Sequence, residues 1–296
     1  MRPLNLLLLF AALARAVEFP PRVVPPDLRP AFGLEISGRM DRKSVPECSA
    51  LVASRRDPKV FWTLSDSGSP ARIVPIRAGG QPVLSSGGVD VTGASNLDWE
   101  ALVADDAGNL VIADVGNNLS RRRELHLYVI PEPAPGSTST MPARLHRFAW
   151  PDQTQFPDPD QRHDCEAAFA YRGKVHLLTK HRRDTLTELW RADLSSTSDR
   201  AYLTQVAALD ARGMVTDASV SPDGKWLAVL TYRVLWVFDL SGQPENPLSG
   251  PAHCRALAPP AAHWQLEGCA WIDDATLLLG SEEGALFRVP LAEIVR

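Results

Sequence analysis

The chain has 296 residues, 45% of them hydrophobic and 22% charged, which is enough apolar material to bury one large core. Its formal net charge is -4 with no long run of either sign, so the basic footprint that nucleic acid requires is absent. The densest cationic cluster, Arg121-Arg122-Arg123, reads as a solvated loop.

Residues 1–16 have the form of a secretory signal peptide. Arg2 supplies the charged start, Leu6 to Leu13 a short apolar core, and Ala14-Arg15-Ala16 a small-x-small cleavage site. The mature chain is expected to begin near Val17 and to be secreted or periplasmic. No later segment is apolar for long enough to cross a membrane as a helix. Residues 17–30 are Pro-rich, from Glu18-Phe19-Pro20-Pro21 to Pro25-Pro26, and predict an extended lead-in. Cys48, Cys165, Cys254 and Cys269, in an exported chain, predict disulfides with three possible pairings. They form no CxxC, and their spacing does not suit zinc.

Residues 31–296 repeat. Five acids, Glu47, Asp98, Asp164, Asp217 and Glu267, each open a short apolar segment, at spacings of 51, 66, 53 and 50 residues. A polar turn follows each segment, as in Asp106-Ala107-Gly108-Asn109 and Ser221-Pro222-Asp223-Gly224. A second strand comes next, running Val60–Leu64, Leu110–Ala113, Val175–Leu178, Trp226–Leu230 and Thr276–Leu279 in the five units. A third spans Arg72–Ile76, Leu125–Val129, Glu188–Arg191, Val234–Phe238 and Ala285–Val289. Fourth strands are less regular: Pro82–Val91, Arg144–Trp150, Tyr202–Leu209 and Cys254–Ala258. The last unit lacks one, and a spare strand, Phe32–Arg39, precedes the first unit. That arrangement predicts an all-β, five-bladed β-propeller of four-stranded antiparallel blades, closed by the N-terminal strand. A six-bladed ring would need the Pro131–Pro142 insertion to be a degenerate blade, and it has too few apolar residues for that.

In a propeller the inner strands line a central channel, so the five leading acids should ring one mouth. Glu100 and Glu166 join Asp98 and Asp164 by two-residue alternation. The loops after the second strands reach the same face. They bring Asp66, Asp114, Asn117, Lys180, His181, Arg233 and Glu282. Crowded carboxylates need a proton or a cation, and Ca²⁺ suits such oxygen donors. Asp98, Glu100, Asp164 and Glu166 are the candidate metal ligands. Glu47, Asp66, Asp114, Asn117, Lys180, His181, Asp217, Arg233, Glu267 and Glu282 are candidate ligand-binding residues. A leading acid also has a structural use, accepting backbone N–H groups and holding blades in register. His163 and His181 read as hydrogen-bonding loop histidines, and Trp62, Trp99, Trp226 and Trp236 as packing between blades.

The run Asp98-Trp99-Glu100-Ala101-Leu102-Val103-Ala104-Asp105, with Ile112-Ala113-Asp114-Val115-Gly116-Asn117-Asn118, resembles a blade signature of exported bacterial propellers. Trp62-Thr63-Leu64-Ser65-Asp66-Ser67-Gly68 is similar in the first unit. The group includes the phytase-like ("esterase-like activity of phytase"), NHL-type and SdiA-regulated propellers. The resemblance implies a site at the channel mouth, often with calcium, and in some members ester or phosphoester hydrolysis. Two functions are expected from these residues. One is binding of a small molecule, carbohydrate or protein partner at the acid-lined mouth. The other is a metal-dependent hydrolase of an ester or phosphoester there.

Overall fold

The computed structural model describes residues 19–243 and 245–295; the signal peptide expected at 1–16 lies outside them. Two short strands, β1 (Phe32–Gly33) and β2 (Ile36–Arg39), precede the first blade. Blade one holds β3 (Cys48–Ala53), β4 (Phe61–Ser65), β5 (Arg72–Ile76) and β6 (Val89–Asp90). Blade two holds β7 (Trp99–Ala104), β8 (Asn109–Asp114), β9 (Leu125–Pro131) and β10 (Arg144–Ala149). Blade three holds β11 (Cys165–Tyr171), β12 (Lys174–Thr179) and β13 (Leu186–Ala192), then, after β14 (Ala201–Tyr202), β15 (Thr204–Asp210). Blade four holds β16 (Val215–Val220), β17 (Trp226–Thr231), β18 (Val234–Asp239) and β19 (Ala252–Ala258). Blade five holds β20 (Leu266–Asp273), β21 (Thr276–Ser281) and β22 (Ala285–Pro290).

The ring closes as its strand pattern predicts. β2 pairs antiparallel with β22, Ile36 opposite Phe287 and Arg39 opposite Ala285, and supplies the outer strand of blade five. The inner strands touch in sequence around the axis: β3 to β7, β7 to β11, β11 to β16, β16 to β20 and β20 back to β3. The outer edge of blade three, β15, is met by the lead-in at a single bridge, Arg22 beside Leu209. Among the described residues the only helical turn is Leu291–Glu293.

Five separate apolar cores lie between the five pairs of neighbouring blades. This is why the second strands are apolar without alternation. Each blade is covered on both faces, so Leu110-Val111-Ile112-Ala113 has no wet side. Trp99, Trp190, Trp236 and Trp271 are fully buried, and each large apolar side chain contributes about 1.5–3 kcal/mol. Their indole N–H groups are satisfied, Trp236 by Ala211 O at 2.8 Å and Trp271 by Ser219 O at 3.0 Å.

Two expectations are corrected, and the four-stranded blades carry two short additions. The four cysteines are free and buried. Each sits in a different interblade core: Cys165 between blades two and three, Cys254 between three and four, Cys269 between four and five, Cys48 between five and one. Side chains divided among separate layers do not meet. The outer strand of blade one is only Val89–Asp90, because the Ser85-Ser86-Gly87-Gly88 stretch before it is a turn. The loop between β9 and β10 of blade two shields that edge, with Asp90 N donating to Thr138 O and Thr140 N donating to Asp90 O, both at 2.9 Å. Blades two and four gain a fifth, parallel strand, from β14 and β1.

Candidate functional site

Every inner strand slips register once near its start. The slips fall between Cys48 and Ala50, Trp99 and Ala101, Cys165 and Ala167, Val215 and Asp217, and Leu266 and Gly268. The bulged residues are therefore Ser49, Glu100, Glu166, Thr216 and Glu267. A bulge re-aims one side chain and ends regular pairing, so these five positions form the structural repeat at the mouth. Glu100, Glu166 and Glu267 are equivalent. Glu47, Asp98 and Asp164 stand two residues earlier, where blades four and five carry Met214 and Gln265. Aligning the five leading acids is thus right for three blades and out of step for two.

Asp217, one residue past its bulge, is the acid this offset changes most. It is fully buried. Its Oδ2 accepts the N–H of Cys269 at 2.6 Å and of Leu51 at 3.2 Å, and its Oδ1 accepts the N–H of Ala218 at 2.8 Å. Inner strands have a free backbone edge facing the axis, and Asp217 satisfies that edge on blades five and one from blade four. Burial pushes its pKa well above the usual carboxylate range, and the three donors pull it back only in part. It is a clasp between blades.

Asp66, Asp98 and Glu100 converge where blades one and two meet, with one carboxylate oxygen from each within 4.8 Å of the others. Local structure sets this up. Asn96 Nδ2 donates to Ser65 O and Asp66 O, each at 3.0 Å, tying the Asp66 loop of blade one to the entry of β7. Asn96 Oδ1 accepts the Trp99 N–H at 3.0 Å. Asp114, buried at the end of β8, accepts the Asp98 N–H at 3.1 Å and pairs with Arg122 at 2.8 Å. Gly116 lies against the pair, and a Cβ there would run into the Asp98 carboxylate and Glu100 Oε1. Among the described residues no Lys or Arg forms an ion pair with Asp66, Asp98 or Glu100. Burial, with Asp66 and Asp164 nearby, pushes Asp98 up to about 6. Burial and the neighbouring Glu166 push Glu100 well above its ordinary value.

Blade three supplies the other half of the mouth. Glu166 lies beside Lys180, Oε1 to Nζ 3.0 Å, and Arg182 at 3.4 Å. Asp164 pairs with Arg182 at 2.8 Å and accepts the Asn117 N–H at 2.7 Å. Asn117 Nδ2 donates to His163 O at 2.8 Å, and its Oδ1 caps the N–H groups of Arg121 and Arg122. Glu100 and Glu166 face each other closely enough that the Glu166 charge adds to burial in pushing Glu100 up, which links the two halves. Burial works against the Lys180 ammonium, but Glu166 and Tyr232 outweigh it and push its pKa up. Its Nζ sits 4.9 Å over the Tyr232 ring. Burial and Glu166 push Glu267 up to about 8.

The other candidates divide. Glu47 is exposed and Glu282 half-buried, on the blade five and one side of the mouth. The Arg233 guanidinium is spent on the carbonyls of Tyr232, Trp264 and Ala262. His181 is buried, its Nδ1 3.0 Å from Asp184 Oδ1, and it lines a cleft beside Phe19–Pro21 at the blade's outer side. His163 is held between Asp158 at 2.6 Å and Asp152 at 3.1 Å. Asn96, Gly116 and Tyr232 have roles that sequence reasoning did not assign. An Asn two residues ahead of the leading acid was the available signal for the first.

No family model matches the chain, and no curated protein does. Among solved structures it is similar to a chain described as "Crystal Structure of Mitotic Checkpoint Complex", at 14% identity and a TM-score of 0.38, over 81% of this chain. The chain spans 63% of the length of that one. The strand pairing and ring closure alone carry the fold assignment: a five-bladed β-propeller.

Proposed function

We propose that this is an exported propeller whose acidic channel mouth binds a divalent cation, Ca²⁺ foremost, and through it a small oxygen-rich ligand. The observation that carries this is the Asp66, Asp98 and Glu100 cluster: three carboxylates within 4.8 Å, unpaired by any Lys or Arg among the described residues. Gathering that charge without a counter-ion is costly, as the upward push on Asp98 records. Ca²⁺ takes roughly six to eight oxygen ligands, so three carboxylates leave room for water and ligand oxygens. Asp164 and Glu166 differ because Arg182 and Lys180 already neutralise them. The metal set is therefore narrower than the four acids expected from sequence, and it adds Asp66. Ligand oxygens from a carboxylate, phosphate or sugar would bridge the ion and the Lys180–Arg182 side. The export half of the proposal rests on Arg2, Leu6–Leu13 and Ala14-Arg15-Ala16.

Calorimetric titration with Ca²⁺ and Mg²⁺ tests the binding. Saturable Ca²⁺ binding that Asp66→Asn and Asp98→Asn each weaken at least tenfold is expected. Binding that survives both changes would refute the site. A second reading, metal-dependent hydrolysis of an ester or phosphoester, is favoured by Lys180 and Arg182 standing beside the cluster. Calcium-dependent turnover of an aryl phosphate or aryl ester, lost in Asp98→Asn, would establish it.

A further inference from the structure

The channel has a second mouth, where the inner strands end, and its chemistry is the reverse of the first. All five blades contribute, through Val52, Val103, Phe169, Val220, Trp271 and Ile272, to a hollow of about 240 Å³. Val52, Val220 and Ile272 are only half-buried, so an apolar wall stands open to entering molecules. No carboxylate lines the hollow among the described residues, and Arg55 is its one charged side chain.

Arg55 is placed there by the fold. Its N–H donates to Glu132 Oε2 at 3.1 Å, and Ser54 donates to the same carboxylate, so blade two grips the turn that carries it. Among the described residues the guanidinium itself has only a distant partner, Asp106 at 3.9 Å. An adjoining cleft of about 360 Å³ shares Arg55 and is also lined by Arg172, Lys225 and Asp106. Lys225 is paired with Asp223 at 2.8 Å. Arg172 holds φ +51, a left-handed backbone that residues with a side chain rarely adopt, and its guanidinium lies 5.5 Å over the Tyr171 ring at the rim.

We propose that this mouth binds a small amphipathic anion, a short acyl or aryl carboxylate. Its apolar end enters the hollow and its carboxylate meets Arg55, with Arg172 at the rim. The hollow is smaller than the about 300 Å³ at which sites for drug-sized ligands begin, so the occupant is one short chain or one ring. A guanidinium matches a carboxylate in a two-pronged geometry that a neutral head group does not offer. This site is independent of the cation site at the other mouth.

Calorimetric titration of the whole protein with hexanoate and benzoate, with hexan-1-ol as the uncharged control, tests it. Saturable binding of a carboxylate is expected, about tenfold or more tighter than the alcohol and weakened about tenfold by Arg55→Gln. Ala170→Trp, at a half-exposed position on the wall, should block it with the melting temperature retained; Ala53→Trp serves if that variant does not fold. No saturable heat with either carboxylate would overturn the proposal. So would equal affinity for hexan-1-ol, or unchanged binding in the plugged variant.

Discussion

Lys180 and Glu166 form an ion pair 3.0 Å long with both side chains almost sealed from solvent. Such a pair is costly to break from one side, because the surviving charge stays buried. Lys180→Met should therefore destabilise the protein by about 3 kcal/mol, read by urea denaturation. Lys180→Met with Glu166→Gln should lose clearly less than the two single changes added together. Additive losses would mean that the pair does not hold blade three to the mouth.

Asp217 should matter to stability and not to ligand binding. Asp217→Ala strands the N–H groups of Leu51 and Cys269 on the channel edge, at about 1–3 kcal/mol for each buried donor. A fall in melting temperature of roughly 5–10 °C is expected, with Ca²⁺ affinity within a few-fold of the parent. Lost Ca²⁺ binding at unchanged stability would put Asp217 among the ligands instead.

His176 gives stability a pH dependence whose sign is defined. It is buried on β12, stacked 5.1 Å from Phe169, and burial, with Arg191 nearby, lowers its pKa from 6.5 to about 4. Between pH 6.5 and about 4 the unfolded chain takes up a proton that the folded chain refuses. Stability from this residue is thus present at neutral pH and falls on acidification, by up to about 3 kcal/mol. His176→Phe keeps the stacking and removes the titration. The variant should gain on the parent between pH 7 and pH 4.5 in urea denaturation; parallel profiles would contradict this.

Gly116 is where backbone must come close to the cluster. Gly116→Ala sets a methyl group against the Asp98 carboxylate and Glu100. It should weaken Ca²⁺ binding about tenfold, the effect of roughly 1.4 kcal/mol, while the circular dichroism spectrum stays that of the parent.

The ring could be read from the sequence because each blade repeats a turn and two apolar strands, and because Ile36–Arg39 lies ahead of the first unit as closure requires. The mouth was legible only in outline. Glu100 and Glu166 follow from alternation, but Glu267 is their true equivalent and Asp217 is not, since each inner strand carries a one-residue bulge that spacing alone does not reveal. Asp66 joins Asp98 through a contact between blades that lies 32 residues away along the chain. The expectation of disulfides failed because compartment says nothing about which core layer each thiol faces.

A crystal structure grown with millimolar Ca²⁺ tests the cation site most directly. One ion is expected between blades one and two, at about 2.3–2.6 Å from carboxylate oxygens of Asp66, Asp98 and Glu100, with water or ligand completing its shell. An empty mouth at saturating Ca²⁺, or an ion bound only elsewhere on the surface, would contradict it.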